Sequence, residues 1–312
     1  MADAFLGLAE LLKIDDTGLA DYGVTDLIDD APFLKALAAV LSSDGTNHKY
    51  LKETSAPVVG FRPVNDGREN AKSGDTLVEI ALKILDASFG VDMALADAHK
   101  KGPDAFVMRE AVRHLKAAFF HAEKQLVYGA DSDGFSGLVS ASTLQYTDSG
   151  KVLNALGDTA NETTSVYLVR TNEEGDAAVV MGNDGNIEIG QTVVQRASGA
   201  TAGTYPEYYT PISGWMGLQV GSAHSIVRIA NIDFDHPLTD DLIYEAVSMF
   251  PAGRKPNLCV MNGTARNMLR KSRTATNATG APAPIPEEVA GAEIVETDAI
   301  VDTEAVTGAD PG

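Results

Sequence analysis

Between residues 103 and 128 the apolar side chains recur with one period. Met108, Val112, Leu115, Phe119, Ala122 and Leu126 step by fours and threes, which lines them up on one stripe of an α-helix. Arg109, Glu110, Arg113, Lys116, Glu123 and Lys124 take the remaining surface. Pro103 suits a first turn, where a missing N–H is no loss, and Gly129 suits a helix end. At 1.5 Å rise per residue the helix is roughly 40 Å long. That exceeds a typical domain interior, so the helix is expected to brace a flat or elongated body.

The first 50 residues hold two weaker helical patterns. Phe5, Leu8, Leu11 and Leu12 form one, and Leu34, Leu37, Ala38 and Leu41 the other, with Pro32 as a first-turn proline. The polar breaks IDDTGLADYG and SSDGTNHK separate them, which predicts small helices strung on an arm outside the core. Residues 47–75 read as extended chain that breaks down into NDGRENAKSGD, an exposed loop between two strands. TLVEIALKILDASFG then fits two templates. Val78, Ile80, Leu82 and Ile84 alternate as in a strand, while Leu77, Ile80, Ala81, Ile84 and Leu85 fit a helix, and periodicity leaves both open.

Beyond the long helix the chain turns to strand-forming runs. SVYLVRT, AAVVM, NIEIG and QTVVQR are separated by NEEGD and GNDG, which read as hairpin-type turns, and the β character continues to residue 233. TDDLIYEAVSMF, with Thr239 as N-cap, and GTARNMLRKSR return to helix. The class is α+β.

Composition narrows the function. The net charge is −20, from 24 Lys and Arg against 44 Asp and Glu, which disfavours general nucleic-acid binding and anionic membrane surfaces. The charge is uneven: residues 1–44 carry −7 and residues 283–312 carry −8, leaving −5 for everything between. Acidic ends usually read as solvated tails. Ile294, Val295, Ala299, Ile300, Val301 and Val306 interleave with the C-terminal acids, however, and favour a strand there. Cys259, the single cysteine, excludes an internal disulfide. No run approaches a membrane span, and no basic region precedes the first apolar residues, so an intracellular site of synthesis and no membrane partner are expected.

Catalytic patterns are thin. GFSG at 134–137 is one residue short of a nucleophile elbow, and GNDGNIEIG lacks the spacing and lysine of a phosphate loop. GADSDG at 129–134 places Gly129 where a calcium loop needs its first ligand and Ser140 where it needs a bidentate Glu. His114 and His121 read as packing or surface residues, and Cys259 as a small buried side chain. No catalytic residue, cofactor or metal is expected. Arg266, Arg270, Lys271 and Arg273 form a basic cluster that could meet phosphate, but more commonly pairs with acids, here across a subunit boundary.

EKQLVYGADSDGFSGL (123–138) resembles the end of the spine helix and the following turn in major capsid proteins of tailed double-stranded-DNA bacteriophages, the Hong Kong 97-type fold. PVVGFRPVNDG (57–67), SVYLVRTNEEG (165–175), WMGLQVGSAHSIVRIANID (215–233) and PNLCVMNGTARNMLRKSR (256–273) resemble further landmarks of one branch of that family, in order, over residues 27–305.

The resemblance implies an α+β Hong Kong 97-like fold. Residues 1–46 would be the N-terminal arm and 47–85 the two-stranded extended loop. Residues 86–235 would be the peripheral domain, with spine helix 103–128 and β-rich segments of which part is open to being an inserted hairpin, and 236–312 the axial domain. Residues 77–85 become strand, with Val78, Ile80, Leu82 and Ile84 inward. The implied function is a non-enzymatic capsid subunit that self-assembles into hexamers and pentamers of an icosahedral shell, made in the host cytoplasm and found in the virion. Portal and scaffold proteins, the latter separate, and a decoration protein would be partners, and packaged DNA would be met only by non-specific proximity. Arm and loop would reach over neighbouring subunits, with Arg62, Asp66, Arg68, Glu69, Lys72, Arg266, Arg270 and Arg273 as intersubunit contact candidates; Lys72 is also a conceivable crosslink donor. An encapsulin-like nanocompartment shell is the alternative of the same fold. A β-rich hydrolase or carbohydrate-binding protein is the alternative of a different class.

Overall fold

Pro103–Tyr128 is one uninterrupted α-helix. Proline stands at its first turn, and Gly129 closes it in the left-handed region (φ 61°), donating its N–H to Gln125 O, a conformation that glycine adopts without a Cβ clash. Leu115, Phe119, Ala122 and Leu126 of the predicted stripe are buried, and Met108 and Val112 pack half-buried against the same core. The computed structural model describes residues 8–14, 24–55, 59–66, 74–139, 144–173, 175–222, 224–275, 277 and 281–308.

The strands of these residues form four sheets. The first is centred on Ile212–Val220. Lys83–Asp86 pairs along one of its edges, and Ala177–Met181 followed by Asn186–Ile189 along the other, all antiparallel. GNDG is therefore not a hairpin turn. The two strands that it joins continue along one neighbour, with the 3₁₀ turn Asn183–Gly185 inserted between them. NEEGD is not one either, because Thr164–Val169 belongs to the second sheet, between Ile226–Ile232 and Leu258–Met261. Turn residues set a change of direction; which strands pair is decided by burial.

That burial is visible in the second sheet. Val166, Leu168, Val227, Ile229, Cys259 and Met261 face the helices Asp240–Ser248 and Gly263–Ala275, while Tyr167, Val169, Ile226, Leu258 and Val260 face the core around the long helix. A sheet covered on both faces reads as continuous apolar runs without polar alternation, as in SVYLV and NLCVM. Ala292–Glu296 joins it in parallel beside Leu258–Met261, so part of the acidic C-terminal segment is strand, with Ile294 and Val295 buried; beyond the strand Ala299 and Ile300 are buried and Val301 and Val306 exposed. The sheet runs across the expected division at 235/236, since Thr164–Val169 pairs with Ile226–Ile232 on one side and with Leu258–Met261, from beyond it, on the other.

The N-terminal helices lie inside the core, contrary to expectation. Leu8, Leu27, Ile28, Phe33 and Leu34 are wholly buried. The second pattern also stops early: the helix is Pro32–Ala36, and Ala38–Leu41 is a strand parallel to Ala177–Met181. The apolar spacing was compatible with both forms, and the open sheet edge selects the strand. Residues 74–86 likewise form two strands, Gly74–Ala81 and Lys83–Asp86, broken at buried Leu82. Val78 and Ile80 are half-buried as expected, but Ile84 is exposed and Leu85 packs on the core. The chain changes partner strand at Leu82, and a one-residue slip exchanges the two faces of a strand.

Phe119 is enclosed between the long helix and the first sheet. Phe119→Ala is expected to lower the unfolding free energy by about 3–5 kcal/mol, read from the urea midpoint at unchanged m-value.

Candidate functional site

Asn47–Ser55 and Gly74–Ala81 form a two-stranded antiparallel hairpin that leaves the body. Its root is fastened. Leu82 N–H donates to Thr46 O (2.8 Å) and Glu53 N–H to Gly221 O (3.1 Å), His48 Nε2 donates to Gln219 Oε1 at 2.7 Å, and the Arg254 guanidinium bonds the Glu53 carboxylate, holding its pKa below the usual carboxylate range.

The hairpin carries apolar side chains with nothing to cover them in the single chain. Leu51 and Leu77 stand directly opposite each other and are both exposed. Towards the tip Val59, Phe61 and Val64 are almost wholly in solvent. Several large apolar groups concentrated on one projecting element mark an interaction surface. Sequence reasoning had singled out the charges of this segment and passed over Phe61; the available signal was an apolar PVVGF run that no polar alternation explains. Of those charges, Arg62 and Asp66 are exposed, and Arg62 donates to the Asp66 backbone carbonyl at 3.0 Å, closing the tip. Arg68, Glu69 and Lys72 lie outside the described residues.

The second cluster finds its partners within the chain. Arg266 donates to Glu296 (2.5 Å) and to Pro286 O (3.0 Å). Arg273 grips both carboxylate oxygens of Asp240 (2.9 and 2.7 Å), and its pKa rises above the usual guanidinium value through that bond. Arg270 reaches Asn267 Oδ1 at 3.5 Å. The structure thus brings Arg266 and Arg273 together with acids of their own subunit.

Two carboxylates missed as special are buried at the long helix. Glu123, expected on the surface, has no exposed area, because backbone and hydroxyl donors surround it. Glu304 accepts from Arg228 Nη2 (2.9 Å), Ser165 Oγ (2.5 Å) and Tyr128 Oη (2.7 Å), and Arg228 also donates to Ser165 Oγ and Leu144 O, each at 3.0 Å. Tyr128 Oη in turn accepts the Val301 N–H at 2.9 Å, and burial, then Glu304, pushes its hydroxyl pKa up. This network straps the C-terminal segment over the end of the helix.

The remaining candidates have structural roles. Burial pushes the Cys259 thiol up to about 12, so it is not a nucleophile. His114 stacks on Phe89, and His121 lies 3.4 Å from Asp131 at the surface. The GADSDG turn is organised from within by Gln125, whose carboxamide donates to Asp131 O and Phe135 O and accepts from Asp131 N–H. Gly137 is needed there because a Cβ would stand 2.3 Å from Gly129 N. Among the described residues no group of three or more His, Cys, Asp or Glu is arranged to hold a metal, and no helix is long and apolar enough to cross a membrane.

The profile of the protein family described as Major capsid protein GP7 matches residues 17–307. A chain in the near-atomic structure of bacteriophage Epsilon15 is similar over 87% of this chain and 88% of its own, at TM-score 0.62 and 18% identity. Matches with lower scores include a chain of the bacteriophage JBD30 capsid (TM-score 0.48, 13% identity, 88% and 92% covered) and one of the holo-SrpI encapsulin complex from Synechococcus elongatus PCC 7942 (0.43, 12%, 64% and 87%). No curated protein sequence matches. The shared architecture is the α+β Hong Kong 97-type capsid fold.

Glu304→Ala would leave the Arg228 guanidinium buried without a counter-charge. The expected loss is about 3–5 kcal/mol of unfolding free energy, measured by chemical denaturation, with earlier proteolysis of the segment after residue 296.

Proposed function

The chain belongs to the GP7 family of major capsid proteins, and from that premise we propose that its copies assemble into the hexamers and pentamers of an icosahedral shell around double-stranded DNA. It is a structural subunit of the virion capsid, a role that implies no enzymatic step. Synthesis in the host cytoplasm, use of portal and separate scaffold proteins, and attachment of a decoration protein complete the reading. DNA is met by proximity alone, in keeping with a net charge of −20.

The observation that carries the proposal is the projecting hairpin with Leu51, Leu77, Val59, Phe61 and Val64 exposed. Such an element makes sense when a second copy covers it. We assign 1–46 to the arm and 47–85 to the extended loop, each of which lends a strand to the first sheet through Ala38–Leu41 and Lys83–Asp86, and the long helix with the rest of that sheet to the peripheral domain. The second sheet, with its two flanking helices, forms the axial domain, so that residues 164–169 and 226–232 go with 236–312. Arg62, Asp66, Arg68, Glu69 and Lys72 are then candidates for polar contacts between subunits. Each such pair is weak, under about 1 kcal/mol, but a closed shell repeats it at every symmetric contact, and many linked contacts hold where one does not.

Phe61→Asp separates folding from assembly. A fully exposed side chain contributes within about 0.5 kcal/mol to the monomer, so the thermal transition of the monomer should stay in place. Rings and shells, counted by electron microscopy and sedimentation velocity, should be lost. Shells of wild-type yield from this variant would remove the hairpin tip from the assembly contacts.

A further inference from the structure

Glu123 joins three distant parts of the chain. Its Oε2 accepts the Leu34 N–H at 3.0 Å, and its Oε1 accepts the Thr297 hydroxyl. Phe33 and Leu34 open the helix Pro32–Ala36, whose N-cap residue Ala31 provides no side-chain acceptor. The first N–H groups of a helix need partners from outside it, and here the cap comes from a residue 89 positions away. Thr297 is itself fixed, accepting from Ala299 N–H (3.0 Å) and donating its own N–H to Met261 O (2.9 Å).

The charges around this junction are largely matched among themselves. From the N-terminal side Asp29 pairs with Lys35 at 2.6 Å, and Asp30 lies 3.8 Å from Lys116 of the long helix. Arg113, on the same helix, pairs with Glu110 at 3.0 Å. On the C-terminal side Glu296 is held by Arg266, and Asp298 repels the Glu123 charge. His121 points away to Asp131. Among the described residues no ion pair includes Glu123.

We propose that Glu123 is a proton-operated latch that holds the helix Pro32–Ala36 to its own subunit, tight when the carboxyl is protonated and loosened when it is charged. Burial raises this carboxyl to about 7, the Leu34 and Thr297 donors pull it down, and Asp298 adds to the rise. In the released state it is an ordinary exposed Glu, near pH 4.3, so docking takes up a proton. The contribution of the latch is complete below that value and is lost as pH rises through about 7. The ratio of released to docked helix therefore climbs roughly tenfold between pH 6 and pH 8. A subunit could thus keep its N-terminal helix at home at acid pH and release it for other contacts above neutrality.

Hydrogen exchange of the full chain, read by mass spectrometry at several pH values with intrinsic rates divided out, tests this. Protection of the amides of residues 33–37 should fall about tenfold from pH 6 to pH 8. It should stay level in Glu123→Gln, whose carboxamide keeps an acceptor for Leu34 and stays neutral. Thr297→Val, which removes a donor to the charged form, should extend the wild-type decline to higher pH. Level protection in the wild type, or an equal decline in Glu123→Gln, overturns the proposal. Should Glu123→Gln not fold, an unshifted profile in Thr297→Val overturns it as well.

Discussion

A long helix that turns Glu123, Gln125 and Tyr128 inward can be buried only where other segments bring partners to those groups. An unsatisfied buried polar group costs on the order of 1–3 kcal/mol, and a charged one more. Each partner comes from a different place: the N-terminal helix for Glu123, the GADSDG turn for Gln125, the C-terminal strap for Tyr128. The apolar stripe supplies most of the attraction, but it is non-directional. The inward polar groups are what fix where the two ends of the chain must lie.

This arrangement divides the molecule into a part that is internally satisfied and a part that is not. Both cores, with the doubly covered sheet, bury their apolar side chains within one chain, and the Arg228–Glu304 network pairs its charges there. The hairpin does not bury all of its own, and its exposed leucines, valines and phenylalanine are among the apolar side chains left uncovered in the single chain. The proposed assembly would bring a second copy against that surface.

Much of this was legible in the sequence. The long helix announced itself through an unbroken period and two end signals, and the β-rich stretch, the capped helix at Thr239 and the strand in the acidic C-terminal segment followed from pattern and turn chemistry. What pattern could not convey was depth and pairing. Leu27, Ile28 and Phe33 sit in an acid-rich stretch and look like surface helix until a neighbour 89 residues away caps it. The NEEGD and GNDG turns resemble hairpins because local chemistry encodes a bend and not a partner. Ile84 was placed on the wrong face because the change of sheet at Leu82 leaves no local signature. For the site, the charges of the loop were easy to see and Phe61 was not, since an isolated exposed aromatic resembles a core residue until the fold shows that no core is near it.

The strand pair Val193–Ser198 and Thr204–Thr210 stands apart from all of this. It is joined by a tight, exposed turn in which Gly199 N–H donates to Gly203 O at 2.9 Å, and its outer strand is exposed almost throughout. Neither core nor either terminal strap runs through that turn. A peptide grafted there would burden none of the buried contacts, whereas one attached near residue 8 would pull on a helix packed against Pro32–Ala36 and Ala38–Leu41, and one near residue 308 on the strap over the end of the long helix. For displaying foreign sequence on this subunit, the middle of the chain is therefore the freer end.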